Sequence, residues 1–209
     1  MNPLFTFQTA HYYREQLLNR YDQNQINPNL QQSLEAVMSN ADNFDKADFM
    51  QFEMKEIFDY LKLSHQYYLD VWIPKLENTL AQLHAKLRKD YWSINLLTLS
   101  LNAYKKELVL HIEQEEKVLF AFVEKLLSGQ ECEGLKDLVL NHFIQTHDDN
   151  VILEINNLKR EVLSIDAELE GNLIVEVLFN QLEIFQADLK VHGLIEDEVF
   201  LQKVIEQAN

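Results

Sequence analysis

The stretch that decides the fold is residues 111–120, HIEQEEKVLF. It continues a stripe of mainly apolar residues that recur at alternating steps of four and three positions, which is the spacing of one face of a packed helix. The stripe consists of Leu97, Leu101, Tyr104, Leu108, His111, Glu115, Val118 and Phe122. His111 and Glu115 therefore occupy positions that face the core. A buried imidazole or carboxylate is stable only when its polar atoms have partners.

A second stripe with the same steps and the same interruption lies near the end of the sequence. It consists of Leu178, Leu182, Phe185, Leu189, His192, Glu196 and Val199. We therefore expect two helices that each direct a histidine, and a glutamate four residues later, toward one core.

Turn residues are scarce, since the 209 residues include only four glycines and three prolines. Turn signals occur at 88–90 (RKD), 128–134 (SGQECEG) and 168–172 (ELEGN). They predict four long helices, at about 48–88, 92–127, 134–165 and 172–207. The expected fold is all-α, an up-down-up-down four-helix bundle with extra N-terminal helices. Asp48 is the expected N-cap of the first long helix, and Pro74 is expected to kink it.

The N-terminal segment predicts two short helices, His11 to Asp22 and Pro28 to Met38, the second capped by Asn27. The stretch SNADNFDKAD then predicts a linker. We therefore expect an N-terminal helical segment at 1–47 and the bundle at 48–209.

The charge balance argues against two classes of partner. The chain has 34 acidic and 18 basic side chains, a formal net charge of −16, which repels nucleic acid and anionic membrane surfaces. No signal-peptide pattern and no apolar run of spanning length is present, so the expected location is cytoplasmic. The single cysteine, Cys132, excludes an intramolecular disulfide and is expected to be an ordinary thiol.

Four histidines are predicted to lie at one height in the bundle. Residues on consecutive antiparallel helices are level when they are equidistant from the intervening turn. The midpoint of His65 and His111 is residue 88, inside the first turn. That of His111 and His147 is residue 129, and that of His147 and His192 falls between residues 169 and 170, inside the other two turns. One histidine from each helix therefore shares a layer.

The same layer contains two carboxylates, because Glu115 and Glu196 lie one turn beyond their histidines on the same helix faces. Four imidazoles and two carboxylates in a core need either a metal or a complete hydrogen-bond network. Imidazole and carboxylate without thiolate suit Fe, Mn or Zn, and each glutamate is placed to bridge two ions. Iron is favoured, because two histidines per metal leave positions open for a diatomic or oxo ligand. Nearby acids that could orient the imidazoles are Glu116, Asp197 and Glu198.

With these residues in place, the chain resembles the hemerythrin-like proteins, and among them the di-iron "repair of iron centres" family. The resemblance covers about 48–209 and is carried by YLKLSHQYYL (60–69), IPKLE (73–77), HIEQEEKVLF (111–120), IQTHDD (144–149) and HGLIEDEVF (192–200). It implies two non-haem irons and a role in restoring iron–sulfur clusters damaged by nitric oxide or oxidative stress. The implied metal ligands are His65, His111, Glu115, His147, His192 and Glu196.

The sequence departs from the family pattern at three points. Ala121 and Leu201 stand where the family usually has proline after the Phe of each motif, and residues 1–47 lack the adjacent cysteines of many members. The third helix also has no His-x-x-x-His pair, which makes reversible oxygen carriage a weaker expectation than redox, nitric oxide or iron-handling chemistry. A thiol-dependent step is not expected of the N-terminal segment.

Several functions remain open at this point. Iron–sulfur cluster repair, with damaged iron–sulfur proteins as partners, or defence against nitric oxide and oxidants is the first. A di-iron protein that binds or senses O2 or NO, or handles iron without catalysis, is the alternative, and a metal-free bundle with inward hydrogen bonds is the third. Whether the chain is an enzyme is undecided, and no catalytic residue is assigned. A ferritin-type oxidase is disfavoured, because the sequence contains no Glu-x-x-His.

Overall fold

The computed structural model describes residues 26–39, 44–87, 92–130 and 155–208. Helices and the turns between them make up these residues, and no strand occurs among them, so the all-α prediction is confirmed. No helix within these ranges combines the length and the apolar character needed to cross a membrane.

The helical elements follow the predicted long segments. The α-helices are α1 (Pro28–Ser39), α2 (Lys46–Met50), α3 (Met54–Tyr67), α4 (Ile73–Lys86), α5 (Trp92–Glu115), α6 (Ala121–Leu127), α7 (Ile155–Ile165), α8 (Leu173–Ile195) and α9 (Leu201–Gln207). Three π-helical turns lie between them at Tyr68–Trp72, Glu116–Phe120 and Glu196–Phe200, and a 3₁₀ turn lies at Ala167–Leu169. The second and fourth predicted helices are thus present at 92–127 and 173–207, each with a π-turn inside it.

The first predicted helix begins differently from expectation, and the assignment of Asp48 as its N-cap is wrong. The cap is Asp45, whose Oδ1 accepts a hydrogen bond from the Ala47 N–H at 2.9 Å, and α2 ends at Met50. A new helix starts at Met54, where Glu56 Oε2 accepts from the Glu53 N–H at 2.9 Å. A glutamate that accepts from the N–H group three residues earlier forms one half of a capping box. This contact stabilises the start of α3 as a separate helix.

The short helix at the N-terminal side of the described chain is confirmed. Asn27 Oδ1 accepts from the Asn29 N–H at 2.9 Å at the start of α1, and Asn27 Nδ2 donates to Glu56 Oε1 at 2.7 Å. One side chain therefore caps α1 and ties it to α3. The other predicted short helix, at 11–22, lies outside the described residues, and the domain boundary at 47/48 stays a prediction.

The turn between α7 and α8 shows why α8 starts where the sequence predicts. Gly171 has φ +76°, a left-handed conformation that suits glycine. Asn172 then caps α8, since its Oδ1 accepts from the N–H groups of Ile174 at 3.0 Å and Val175 at 3.4 Å. Of the third predicted helix, only Ile155–Ile165 lies in the described residues, and the predicted turn at 88–90 lies outside them.

The described residues fall into two compact units, made of 26–39, 44–64, 123–130 and 187–208 in the first and of 65–87, 92–122 and 155–186 in the second. In the first unit, the rings of Phe58 and Phe200 stack at 5.8 Å. The Lys203 ammonium donates to the Met50 carbonyl at 2.8 Å. These contacts join α3 to the π-turn at Glu196–Phe200, and α2 to α9.

The second unit has an aromatic core centred on Phe185. Its ring lies 5.3 Å from that of Trp72, 5.4 Å from that of Tyr68 and 6.1 Å from that of Tyr104, in stacked and edge-on arrangements. Such pairs stabilise a core beyond the area they bury. Helices α5 and α8 and the first π-turn are thereby held together.

Candidate metal centre

Glu115 is the last residue of α5, and its carboxylate lies between two imidazoles. Its Oε1 lies 2.8 Å from His111 Nε2, and its Oε2 lies 3.1 Å from His65 Nε2. The side chain is only 3% exposed. One carboxylate therefore serves two histidines from two helices, with a separate oxygen for each.

These spacings suit metal ligands as well as ion pairs. In octahedral coordination, neighbouring ligand atoms about 2.1 Å from one ion subtend a right angle and lie about 3.0 Å apart. The two nitrogen–oxygen distances at Glu115 bracket that value. The arrangement is therefore that of a carboxylate able to contribute one oxygen to each of two neighbouring ions.

The His65 ring is held from more than one side. It is buried, and it stacks on Phe120 with ring centroids 5.0 Å apart and planes 7° from parallel. Its Nδ1 lies 3.3 Å from Oε1 of Glu116, which is 47% exposed. Three acids were predicted from the sequence to orient the imidazoles. Of these, Glu116 contacts His65. Asp197 is half-buried and Glu198 is exposed.

His111 is less enclosed than its place in the stripe suggests, since 26% of its side chain is exposed, while Ile112 is buried. Val118, which the stripe places at the core, is only half-buried, while Leu119 and Phe120 are fully buried. The cause is the π-turn at Glu116–Phe120, which adds a residue to one turn and rotates the following positions.

His192 and Glu196 form a second pair on α8 and the π-turn that follows it. Both side chains are buried, and His192 Nε2 lies 3.6 Å from Glu196 Oε2. The Tyr60 ring lies 6.4 Å from the His192 ring. The pair repeats the His-x-x-x-Glu arrangement of His111 and Glu115.

A buried group consisting of His65, Glu115 and His192 could hold a metal ion. Of the other predicted ligands, His111 and Glu196 lie beside members of this group, at Glu115 and His192 respectively. His147 lies outside the described residues.

The electrostatics of Glu115 favour its charged form. Burial raises the pKa of its carboxyl, but hydrogen bonding and electrostatic attraction from His111 and His65 outweigh burial and hold the pKa well below its ordinary value. Glu115 is therefore ionised at neutral pH, as a metal-binding carboxylate has to be.

Two other residues that could be taken for site residues have different contacts. His84 is exposed, and its Nε2 lies 2.8 Å from Thr98 Oγ1. Tyr104 packs against Phe185 in the core, and burial raises the pKa of its phenol well above the ordinary value, so it stays neutral.

Two features of the helices that contain these residues were not predicted from the sequence. Asp188 is buried one turn before His192, whereas the stripe placed the half-buried Leu189 at that level. The π-turns begin one residue after Glu115, at Glu196 and three residues after His65. A repeated interval of Asp, His and Glu along α8 was a signal for Asp188, but sequence periodicity contains no signal for a single-residue π insertion.

No protein-family model, no curated protein and no solved structure matches the chain. The function of the cluster is therefore argued from the chemistry of its side chains and from their geometry.

Proposed function

We propose that the chain is a hemerythrin-like, non-haem di-iron protein built as an up-down-up-down four-helix bundle. The proposed ligands are His65, His111, Glu115, His147, His192 and Glu196. The observation that carries the proposal is the position of Glu115, which offers one carboxylate oxygen to His65 and the other to His111. A carboxylate shared in this way suits two ions better than one.

The donor set is compatible with iron. Imidazole and carboxylate donors in the absence of thiolate suit iron, manganese and zinc, and the buried group of His65, Glu115 and His192 fits an ion of this class. The ionised Glu115 offsets part of the positive charge of bound metal in a buried setting. When bound, iron would supply redox chemistry toward small oxygen- or nitrogen-containing molecules.

The side chains around the cluster would control access to it. Phe120 and the buried ring of His65 exclude water from one side. The side chain of His111 is partly exposed, so the cluster is in contact with solvent at His111. We infer that a small ligand approaches the centre past His111 and that the histidines and Glu115 hold the metal without large rearrangement.

The role proposed for this centre is repair of iron–sulfur clusters, or defence against nitric oxide and oxidants, in accord with the family resemblance. The test uses a purified iron–sulfur enzyme inactivated by nitric oxide. Iron-loaded protein should restore its activity, whereas the same protein after iron removal, and the Glu115→Ala variant, should not. Equal recovery with all three preparations would contradict the repair role. Tight binding of nitric oxide without recovery would favour a sensing or storage role instead.

A metal-free role has its own support, because 2.8 Å and 3.1 Å are also the lengths of imidazole–carboxylate hydrogen bonds. In that case Glu115 would only connect α3 and α5 through the core. Its replacement would then lower stability without changing metal content. Metal analysis beside thermal unfolding of Glu115→Ala separates the two roles.

A further inference from the structure

Glu116 is an exposed residue whose carboxylate contacts a buried side chain. Its side chain is 47% exposed, so burial of apolar surface does not fix its position. Its Oε1 nevertheless lies 3.3 Å from Nδ1 of His65, which is itself fully buried. The carboxylate thus reaches from the surface to the outer nitrogen of a buried imidazole.

A metal-binding histidine needs such a partner. A neutral imidazole has a proton on one nitrogen and a lone pair on the other, and the hydrogen bond at one nitrogen decides which form is present. His65 presents Nε2 to Glu115 at 3.1 Å and Nδ1 to Glu116 at 3.3 Å. A proton held on Nδ1 by Glu116 leaves the Nε2 lone pair for a metal beside Glu115.

The π-turn that contains Glu116 also fixes the plane of the His65 ring. Glu116 begins this turn and Phe120 ends it. Phe120 stacks on His65 with the two planes 7° from parallel, while Glu116 lies at the ring edge. The stack with Phe120 therefore restricts the tilt of the His65 ring, and the contact with Glu116 restricts its rotation.

The contact does not follow merely from the abundance of acids on this helix. Glu113, three residues earlier, is 51% exposed and pairs with Lys117 at 2.7 Å. Both glutamates are similarly exposed and close in sequence, but the hydrogen bond of one is directed to His65 and that of the other to a surface lysine. Glu113 is therefore a matched control for Glu116.

We propose that Glu116 is a positioning residue that holds His65 with its Nδ1 proton outward and its Nε2 lone pair toward the metal. The inference rests on the proposed metal-binding function and extends it to a residue that is not itself a ligand. Loss of a carboxylate partner of this kind weakens metal binding by roughly 10- to 100-fold in characterised sites.

The test measures zinc affinity by competition with a chelator, because zinc accepts the same donors and is diamagnetic. Glu116→Ala should bind zinc roughly 10- to 100-fold more weakly than the wild type. Glu116→Gln should recover most of the loss, since its amide oxygen accepts from Nδ1–H. Glu113→Ala should match the wild type. Equal affinities for Glu116→Ala and Glu113→Ala would overturn the inference.

Nitrogen NMR of the histidine rings in the zinc-loaded protein supplies a second measurement. His65 should show a protonated Nδ1 in the wild type and in Glu116→Gln, and this signal should broaden or shift in Glu116→Ala. Unchanged His65 signals in Glu116→Ala would contradict the positioning role. If the wild type itself bound no zinc and no iron, the proposed function would fail and this inference with it, whereas unchanged affinity in Glu116→Ala would remove this inference alone.

Discussion

His111 Nε2 lies 2.8 Å from Glu115 Oε1, one turn later on the same helix. A histidine and a glutamate four positions apart share a helix face, so this contact follows from the local backbone. His65 comes from a separate helix and meets the second oxygen of the same carboxylate. The proposed centre thus contains a local pair and a residue from another helix, and each can be tested separately.

Replacing Glu115 with glutamine should remove the negative charge while keeping the side-chain shape. We expect the iron content of Glu115→Gln to fall by more than half, because a neutral amide does not compensate buried metal charge. Glu107→Gln, an exposed position on the same helix, should keep the wild-type content. Iron assays on both variants check this. Full iron occupancy in Glu115→Gln would rule out the carboxylate as a ligand.

Two histidine variants test which imidazoles belong to the centre. His111→Ala should lose bound iron, because His111 contacts Glu115. His84→Ala should retain it, because His84 is exposed and contacts Thr98. The ratio of iron to protein in the two variants is the measurement. Comparable losses in both would show that the four-histidine layer is misassigned.

The aromatic core should dominate the stability of the second unit. Phe185 is buried against Trp72, Tyr68 and Tyr104, so Phe185→Ala should lower the free energy of unfolding by about 3–5 kcal/mol. Leu99 is 69% exposed, and Leu99→Ala should change the free energy of unfolding by at most about 0.5 kcal/mol. Urea unfolding followed by circular dichroism compares the two. A small effect at Phe185 would mean that the cluster is not tightly packed.

The start of α8 should depend on its cap. Asn172→Ala removes the acceptor for two backbone N–H groups and should destabilise the protein by about 1 kcal/mol. Asn102 is exposed within α5, where alanine is a better helix former, so Asn102→Ala should be neutral or slightly stabilising. The same unfolding measurement applies. Identical effects of the two substitutions would argue against the capping role.

Much of the fold could be predicted because the apolar period and the turn residues agree. The bounds of the second and fourth helices follow from the stripes and from signals such as Gly171 and Asn172, which act locally. The break in the helix at 51–53 was not predicted. Phe49, just before the break, and Phe52, inside it, are both buried, so the apolar pattern continues across the interruption.

The site was predictable in its chemistry more than in its detail. The His-x-x-x-Glu spacing identified the two local pairs, because helix geometry alone sets the position of one member relative to the other. The stack of Phe120 on His65 and the reach of Glu116 depend on a π-turn whose extra residue is a response to tertiary packing. Helix propensity and hydrophobic periodicity do not predict where such an extra residue is inserted.

The most direct measurement of the central claim is the number of iron atoms per chain in wild-type protein produced under iron-replete, reducing conditions. The di-iron account predicts about two per chain, with the helical circular dichroism of the folded protein. Fewer than about one iron per chain in a protein of intact helicity would contradict it.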